Sequence, residues 1–261
     1  MGLFSGAKAQ ITGQKAYRAH LSANELATEG KPKEAAAKYK EVRKLYEDAL
    51  AGGPQPPNIR MGYAILLMRL GEFDHAMEVM QQVRLDKALK ESDWFDLRLN
   101  YSVCQWRKGQ LDEAIATARR AEQVKKCAAL YNTLGMYLAE KAERTGDFAE
   151  VEAFNREAMD YDDEDPGALD NMGMMYEAMS KHAADPAPLR AKAKEYYEKA
   201  HAVKPRQIAT MYALARMYHE DGQDDLARRA LEPAENLYFS AVCPVSEQMM
   251  DDLKRELGIA I

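Results

Sequence analysis

The sequence predicts an all-α solenoid of about six stacked helical hairpins, closed by a short C-terminal helix. Three observations carry this. Glycine recurs at Gly30, Gly71, Gly109, Gly146 and Gly222, in steps of 41, 38, 37 and 76, the last being twice 38. A period of that length belongs to arrays in which each hairpin leans only on its neighbours. Small residues flank the glycines at fixed offsets: Ala23, Ala64, Ser102 and Ala215 seven before, and Ala35, Ala76, Ala114 and Ala227 five after. Bulky residues such as Leu26, Leu67, Tyr218, Tyr39, Met80 and Leu231 fall between them at i+3 and i+4, the period of a helix with one buried stripe.

Each glycine is read as the turn of a hairpin, because glycine takes the left-handed conformation that ends a helix. The small residues mark where the two helices approach closely, with Val42, Val83, Ala121 and Ala234 a further seven residues on. Residues 1–15 are expected to form an N-terminal segment, 16–240 the repeat array and 241–261 a capping helix. Two repeats are irregular. Gly146 arrives four residues late after Leu134–Leu138, which predicts a first helix one turn longer. In the fifth repeat Pro186 and Pro188 predict an inserted loop of eight residues over 180–190, since proline breaks a helix interior. Asp160–Asp170 is acidic and precedes Pro166, which suits a helix start better than a calcium loop, because Asp165 stands where such a loop requires glycine. Near the C-terminus Ser246 is a good N-cap, and Met249, Met250, Leu253 and Leu257 form an apolar stripe able to cover the open end of an array. Weak self-association through that helix is the other use of the stripe.

Composition narrows the function. The net charge of −6 disfavours nucleic acid, which selects clustered Lys and Arg. Three well-separated cysteines, Cys104, Cys127 and Cys243, make neither a disulfide framework nor a metal pair, and a cytoplasmic location is expected. No apolar run approaches a membrane span. The five histidines are scattered, and phosphate-loop and nucleophile-elbow motifs are lacking, so no enzyme, metal or cofactor is expected.

The segments "YNTLGMYLAE", "LDNMGMMYEA" and "EYYEKAHAVKP", with Tyr197, Ala200 and Pro205 at matching offsets, resemble the tetratricopeptide repeat. The turn segments "GEFDHAMEVM" and "GQLDEAIATARRA" are similar to its second helix. Six such hairpins fit between about Ala16 and Glu235, although Ala118 and Asn155 stand where an aromatic is usual. The resemblance implies a right-handed superhelix whose first helices line a concave groove for another protein. The groove residues it implies include Asn24, Arg69, Asn100, Trp106, Arg107, Asn132, Met136, Asn171, Met174 and Arg216. Asparagines would hold a peptide backbone, arginines acidic groups, and methionines and Trp106 apolar side chains. His20 belongs to the same face by spacing. Relatives that clamp acidic chaperone tails carry Lys, Asn and Arg where this chain has His20, Gly62, Asp96 and Asn100, so that clamp is not reproduced; only Asn24 matches it. The expected function is a non-enzymatic scaffold that binds an extended peptide or helix of a partner. A sensor whose superhelix changes curvature on binding a small peptide, and so controls a partner protein, is the alternative.

Overall fold

The computed structural model describes residues 3–260, and among these it contains 13 α-helices, one 3-10 turn and no strand. The chain divides into two compact units. Unit 1 holds the residues up to Lys108 together with Glu235–Val242, and unit 2 holds Gly109–Ala234 and the residues from Cys243 on.

In unit 1, α1 (Leu3–Thr28) pairs with α2 (Pro32–Gly52), and α3 (Pro57–Arg69) with α4 (Phe73–Arg84); α5 (Glu91–Arg107) follows. Helix α1 begins at Leu3 and runs unbroken past residue 16, the expected start of the array. The turn glycines have φ of 79° at Gly30 and 83° at Gly71, values only glycine adopts without strain. The small residues sit at the seams: Ala23, Ala35, Ala64, Ala76, Val42 and Val83 are all fully buried. Tyr39, Tyr46, Leu66, Leu67 and Met80 fill the remaining core. Arg43 of α2 makes a two-pronged ion pair with Glu72 at the next turn, 2.5 and 3.1 Å.

Unit 2 contains α6 (Leu111–Glu122), α7 (Ala128–Thr145), α8 (Ala149–Tyr161), α9 (Pro166–His182), α10 (Ala187–Val203), α11 (Ile208–Glu220), α12 (Asp224–Ala230) and α13 (Glu247–Glu256). Helix α7 has 18 residues against 13 in α3, so the late Gly146 reflects a longer first helix. Asp165 caps α9, its Oδ1 accepting from Gly167 and Ala168 at 2.9 Å, with Pro166 in the first turn.

The eight-residue loop over 180–190 is not formed. Helix α9 runs to His182 and α10 starts at Ala187, leaving a four-residue connection. Pro186 is the N-cap of α10 and Pro188 sits in its first turn, where the missing N–H has no helical acceptor to lose. The extra residues lengthen α10 instead of forming a loop.

Helix α13 starts where expected, with Ser246 Oγ accepting from the Met249 N–H at 3.1 Å. It buries Met250 and Leu253, and Leu257 just beyond it, while Arg228 of α12 donates from Nε to the Leu257 carbonyl at 2.9 Å. No helix among the described residues is long and apolar enough to cross a membrane.

Candidate functional site

In unit 1 the first helices α1, α3 and α5 lie in sequence along one face, and two different environments occur along it. At the C-terminal end of α3 the chain packs on itself, against α2 and the turn after α3. Residues Leu237–Ser240 have no regular secondary structure, and Tyr238 and Val242 pack on the core of unit 1. The Tyr238 ring meets Tyr39 with centroids 5.2 Å apart, and the Ala241 N–H donates to the Arg69 carbonyl at 3.1 Å. Arg69 lies over the Tyr39 ring, 6.0 Å from its centroid, and Tyr39 Oη donates to Asn24 Oδ1 at 2.8 Å. Asn24 and Arg69 are therefore engaged within the unit. Burial and, secondarily, Arg69 hold the His20 imidazole down to about 4, so it is neutral at physiological pH. His20 is buried, contrary to its expected place on the open face, with Nδ1 3.4 Å from Tyr46 Oη.

Toward the N-terminal ends of α3 and α5 the same face is open. A pocket of about 320 Å³ is lined by Tyr17 of α1, by Pro57, Asn58, Met61, Gly62 and Ile65 of α3, and by Asp93, Asp96 and Asn100 of α5. Gly62 is needed here: a Cβ would stand 2.5 Å from Tyr46 Oη and 3.2 Å from the Tyr17 ring. Asn100 Nδ2 donates to the Asp96 carbonyl at 2.8 Å, and Asp93 Oδ2 accepts from the Lys90 N–H at 2.8 Å. A larger cavity of about 950 Å³ adjoins at Pro57, with Lys15 and Arg18 on its wall. Further along α5, Arg107 stacks between Trp106 and Phe73, 5.4 and 5.8 Å from their ring centroids.

In unit 2 several expected contact residues serve the packing. Asn171 is buried, and its Nδ2 donates to the carbonyls of Tyr131 and Asn132 at 3.1 Å each, tying α9 to α7. The Asn132 side chain lies against Gly167, where a Cβ would come within 2.3 Å of Cγ. Arg216 donates to Glu177 and Glu220 at 2.5 Å each, and Tyr197 Oη donates to Glu177 at 3.1 Å. That guanidinium, expected from the sequence to meet acidic groups of a partner, is paired with two carboxylates of its own unit. Met136 and Met174 are half-buried. Burial raises the Asp170 carboxyl to about 6, against the Thr210 hydroxyl that donates to it at 2.6 Å.

Of the residues lining the pocket between α1, α3 and α5, the sequence reading names Asn100 as a contact residue and does not so name Tyr17, Asn58, Asp93 or Asp96. The signal was present, since Asp93, Asp96 and Asn100 follow i, i+3 and i+7 spacing and share one helix face. Among the described residues no group of three or more His, Cys, Asp or Glu could hold a metal ion. Burial pushes the Cys104 thiol up to about 12, which leaves it unreactive.

The tetratricopeptide repeat family matches residues 26–97 in sequence. The helical pairs, left-handed turn glycines and buried small residues continue that pattern in unit 2. Residues 26–97 carry the tetratricopeptide repeat, and the chain as a whole has the fold of tetratricopeptide-repeat proteins. No curated protein matches it in sequence. Among solved structures, the human IFIT1 dimer with PPP-AAAA superposes with a TM-score of 0.60 and 21% identity, covering 85% of this chain and 50% of IFIT1. TTC0263, a thermophilic tetratricopeptide-repeat protein of Thermus thermophilus, gives 0.51 and 20% over 76% of this chain and 99% of its own. PilF of Pseudomonas aeruginosa gives 0.50 and 13% over 94% and 99%. The chain spans half the length of IFIT1, and at these identities the likeness is one of fold. The tetratricopeptide-repeat fold is one suited to protein interaction in general.

Proposed function

We propose that the chain is a non-enzymatic interaction scaffold that binds an extended segment of a partner protein on the α1, α3 and α5 face of unit 1. One observation carries the reading. Unit 1 already receives an irregular stretch of polypeptide, residues 237–242, through an aromatic contact and a main-chain hydrogen bond at the C-terminal end of α3, and toward the N-terminal ends of α3 and α5 it leaves a pocket open. These are the contacts by which a surface holds extended peptide: backbone bonds for register and side-chain pockets for selectivity. Asn100, Met61 and Ile65 form the open part, with Trp106 and Arg107 further along α5.

Unit 2 contributes less to binding. Its asparagines and Arg216 are engaged in packing, so Met136 and Met174 are the expected contact residues left there. IFIT1 is described with PPP-AAAA, but a net charge of −6 opposes a phosphate backbone here.

A photo-crosslinking residue at Ile65 should join the chain to partner proteins in native lysate, whereas the same residue at the exposed Lys40 of α2 should not. Equal yields at both positions would reject the assignment of the face.

A further inference from the structure

We propose that unit 1 has a second docking surface, a groove along the N-terminal half of α1 that receives an acidic amphipathic helix of a partner. It is separate from the α1, α3 and α5 face, so either can fail without the other.

The groove is the cavity of about 950 Å³ beside Pro57. Helix α1 contributes Ala7, Ile11, Gln14 and Arg18 at i, i+4, i+7 and i+11, with Lys15 among them. That stripe is about 16 Å long, three turns of helix. The rest of the lining comes from the turn at Pro54, Pro56 and Pro57 and from Asp86 and Ala88 after α4. Its apolar part is uncovered. Ile11 is 70% exposed, and Leu85, next in sequence to Asp86, is 76% exposed; these are the two most exposed large apolar side chains among the described residues. A solvent-facing isoleucine set among prolines and alanines is the kind of surface that a partner covers.

Charge says which partner. Lys15 and Arg18 are exposed, and among the described residues neither makes an ion pair. The Glu41 carboxyl is held down first by Lys38, bonded to it at 2.8 Å, and only further by Lys15. Among the described residues the one carboxylate of the lining is Asp86, and it is already answered. It pairs with Arg60 of α3 and accepts from the Ala88 N–H at 2.9 Å. The groove therefore offers two uncompensated cations at one end of an apolar strip, the complement of carboxylates beside an apolar stripe.

The main chain says which conformation. Pro54, Pro56 and Pro57 have no N–H to give, and the Asp86 N–H is spent on the Val83 carbonyl at 2.9 Å. The Ala88 N–H is spent on Asp86, and Gln55 Nε2 donates to the Ala49 carbonyl at 2.9 Å. Helix α1 bonds its own backbone. An extended segment laid here would bury main-chain groups without partners, whereas a helix arrives with its own already bonded.

The test uses the full chain and four fluorescent peptides read by anisotropy. Three are hydrocarbon-stapled helices of about three turns with a leucine stripe at i, i+3 and i+4, flanked by glutamates, glutamines or lysines. The fourth is the glutamate sequence with two central prolines and no staple, which cannot form the helix. The glutamate helix should bind about ten-fold more tightly than the other three, and high salt should narrow the gap to the lysine helix. The whole chain carries −6, so its average field favours the lysine helix and the opposite preference has a local origin. Ile11→Ser should weaken the glutamate helix about ten-fold. Lys15→Glu/Arg18→Glu should reverse the preference to the lysine helix. All three side chains are exposed, so both variants should melt with the native chain. Equal binding of the three helices, or a glutamate preference that survives the charge reversal, overturns the proposal. So does binding that is indifferent to Ile11→Ser, or a proline probe that matches its helix. A dimer of the native chain in sedimentation that Ile11→Ser dissolves would give the groove to a second copy and likewise overturn it.

Discussion

Asn155 donates from Nδ2 to the main-chain carbonyl of Asn171, 3.1 Å away, and both residues are buried. Asn171 passes the connection on to the Tyr131 and Asn132 carbonyls. A polar clasp thus joins α7, α8 and α9 at the position where an aromatic residue was expected. It fits only because Gly135 is there. A Cβ at 135 would stand 2.5 Å from Asn171 Nδ2 and 2.8 Å from Asn155 Oδ1. Gly135→Ala should therefore destabilise the protein by about 1–3 kcal/mol in urea unfolding, although alanine favours helices. A neutral or stabilising result would show that the clasp yields easily.

Restoring the aromatic is the complementary test. Asn155→Phe adds volume to a fully buried position and removes the donor to the Asn171 carbonyl. A loss of about 1–3 kcal/mol is expected, with the larger part from overpacking. The combination of Asn155→Phe with Asn171→Ala should recover part of that loss, because the second change opens space beside the first. Strict additivity of the two losses would separate the residues energetically.

Asp170 gives the stability of unit 2 a pH dependence. Burial raises its carboxyl from 3.8 to about 6, with the Thr210 hydroxyl opposing and the Glu177 charge adding. The folded state therefore holds this proton more tightly than the unfolded chain. That stabilisation is fully present below about 3.8 and is lost as pH rises through about 6. Asp170→Asn retains an acceptor for Thr210 and carries no charge to desolvate. It should stabilise the protein by about 1–3 kcal/mol at pH 8 and by little at pH 4. An equal effect at both pH values, measured by urea titration, would remove the carboxylate from the account.

The segment at 237–242 is held by the Tyr238 ring and the Ala241 N–H, so changes at these positions should release it. Ala241→Pro removes the N–H that reaches the Arg69 carbonyl, and Tyr238→Ser removes the ring from Tyr39. In the Tyr238→Ser variant, the Ala241 amide should lose its protection from hydrogen exchange while amides of the α3 interior keep theirs. Unchanged protection at Ala241 would mean that the main chain alone secures the segment.

Much of the fold was legible because it follows from local rules. Turn glycines and small seam residues are dictated by backbone sterics within one hairpin, and Ala23, Ala64, Ser102 and Ala215 are all fully buried. Proline is less restrictive at a helix start than in its interior. Pro188 is excluded from a helix interior but not from its first turn, and the sequence alone did not say which of these it occupied. The contact face was harder to read because an asparagine or arginine on the right helix face looks the same whether its partner is internal or foreign. Asn171 and Arg216 are answered by residues 39 or 40 positions away in the chain, a distance no helical periodicity reports. The return of residues 237–242 to unit 1 is likewise long-range, and it covers the ground around Arg69.

The C-terminal helix yields the last prediction. Met250, Leu253 and Leu257 are buried, whereas Met249 is 38% exposed, so most of the apolar stripe faces inward and covers its own unit. Each buried side chain of this kind contributes about 1.5–3 kcal/mol. His219 lies next to α13, with Nδ1 2.7 Å from Asp224 Oδ1 of α12 and Nε2 3.8 Å from a Glu256 oxygen. A chain ending before Ser246 loses this cover and exposes the apolar surface beneath it to solvent. It should melt at lower temperature and form larger species in light scattering than the full chain. Were the stripe instead a contact between copies, the shortened chain would be the cleaner monomer, and that outcome would overturn the capping role.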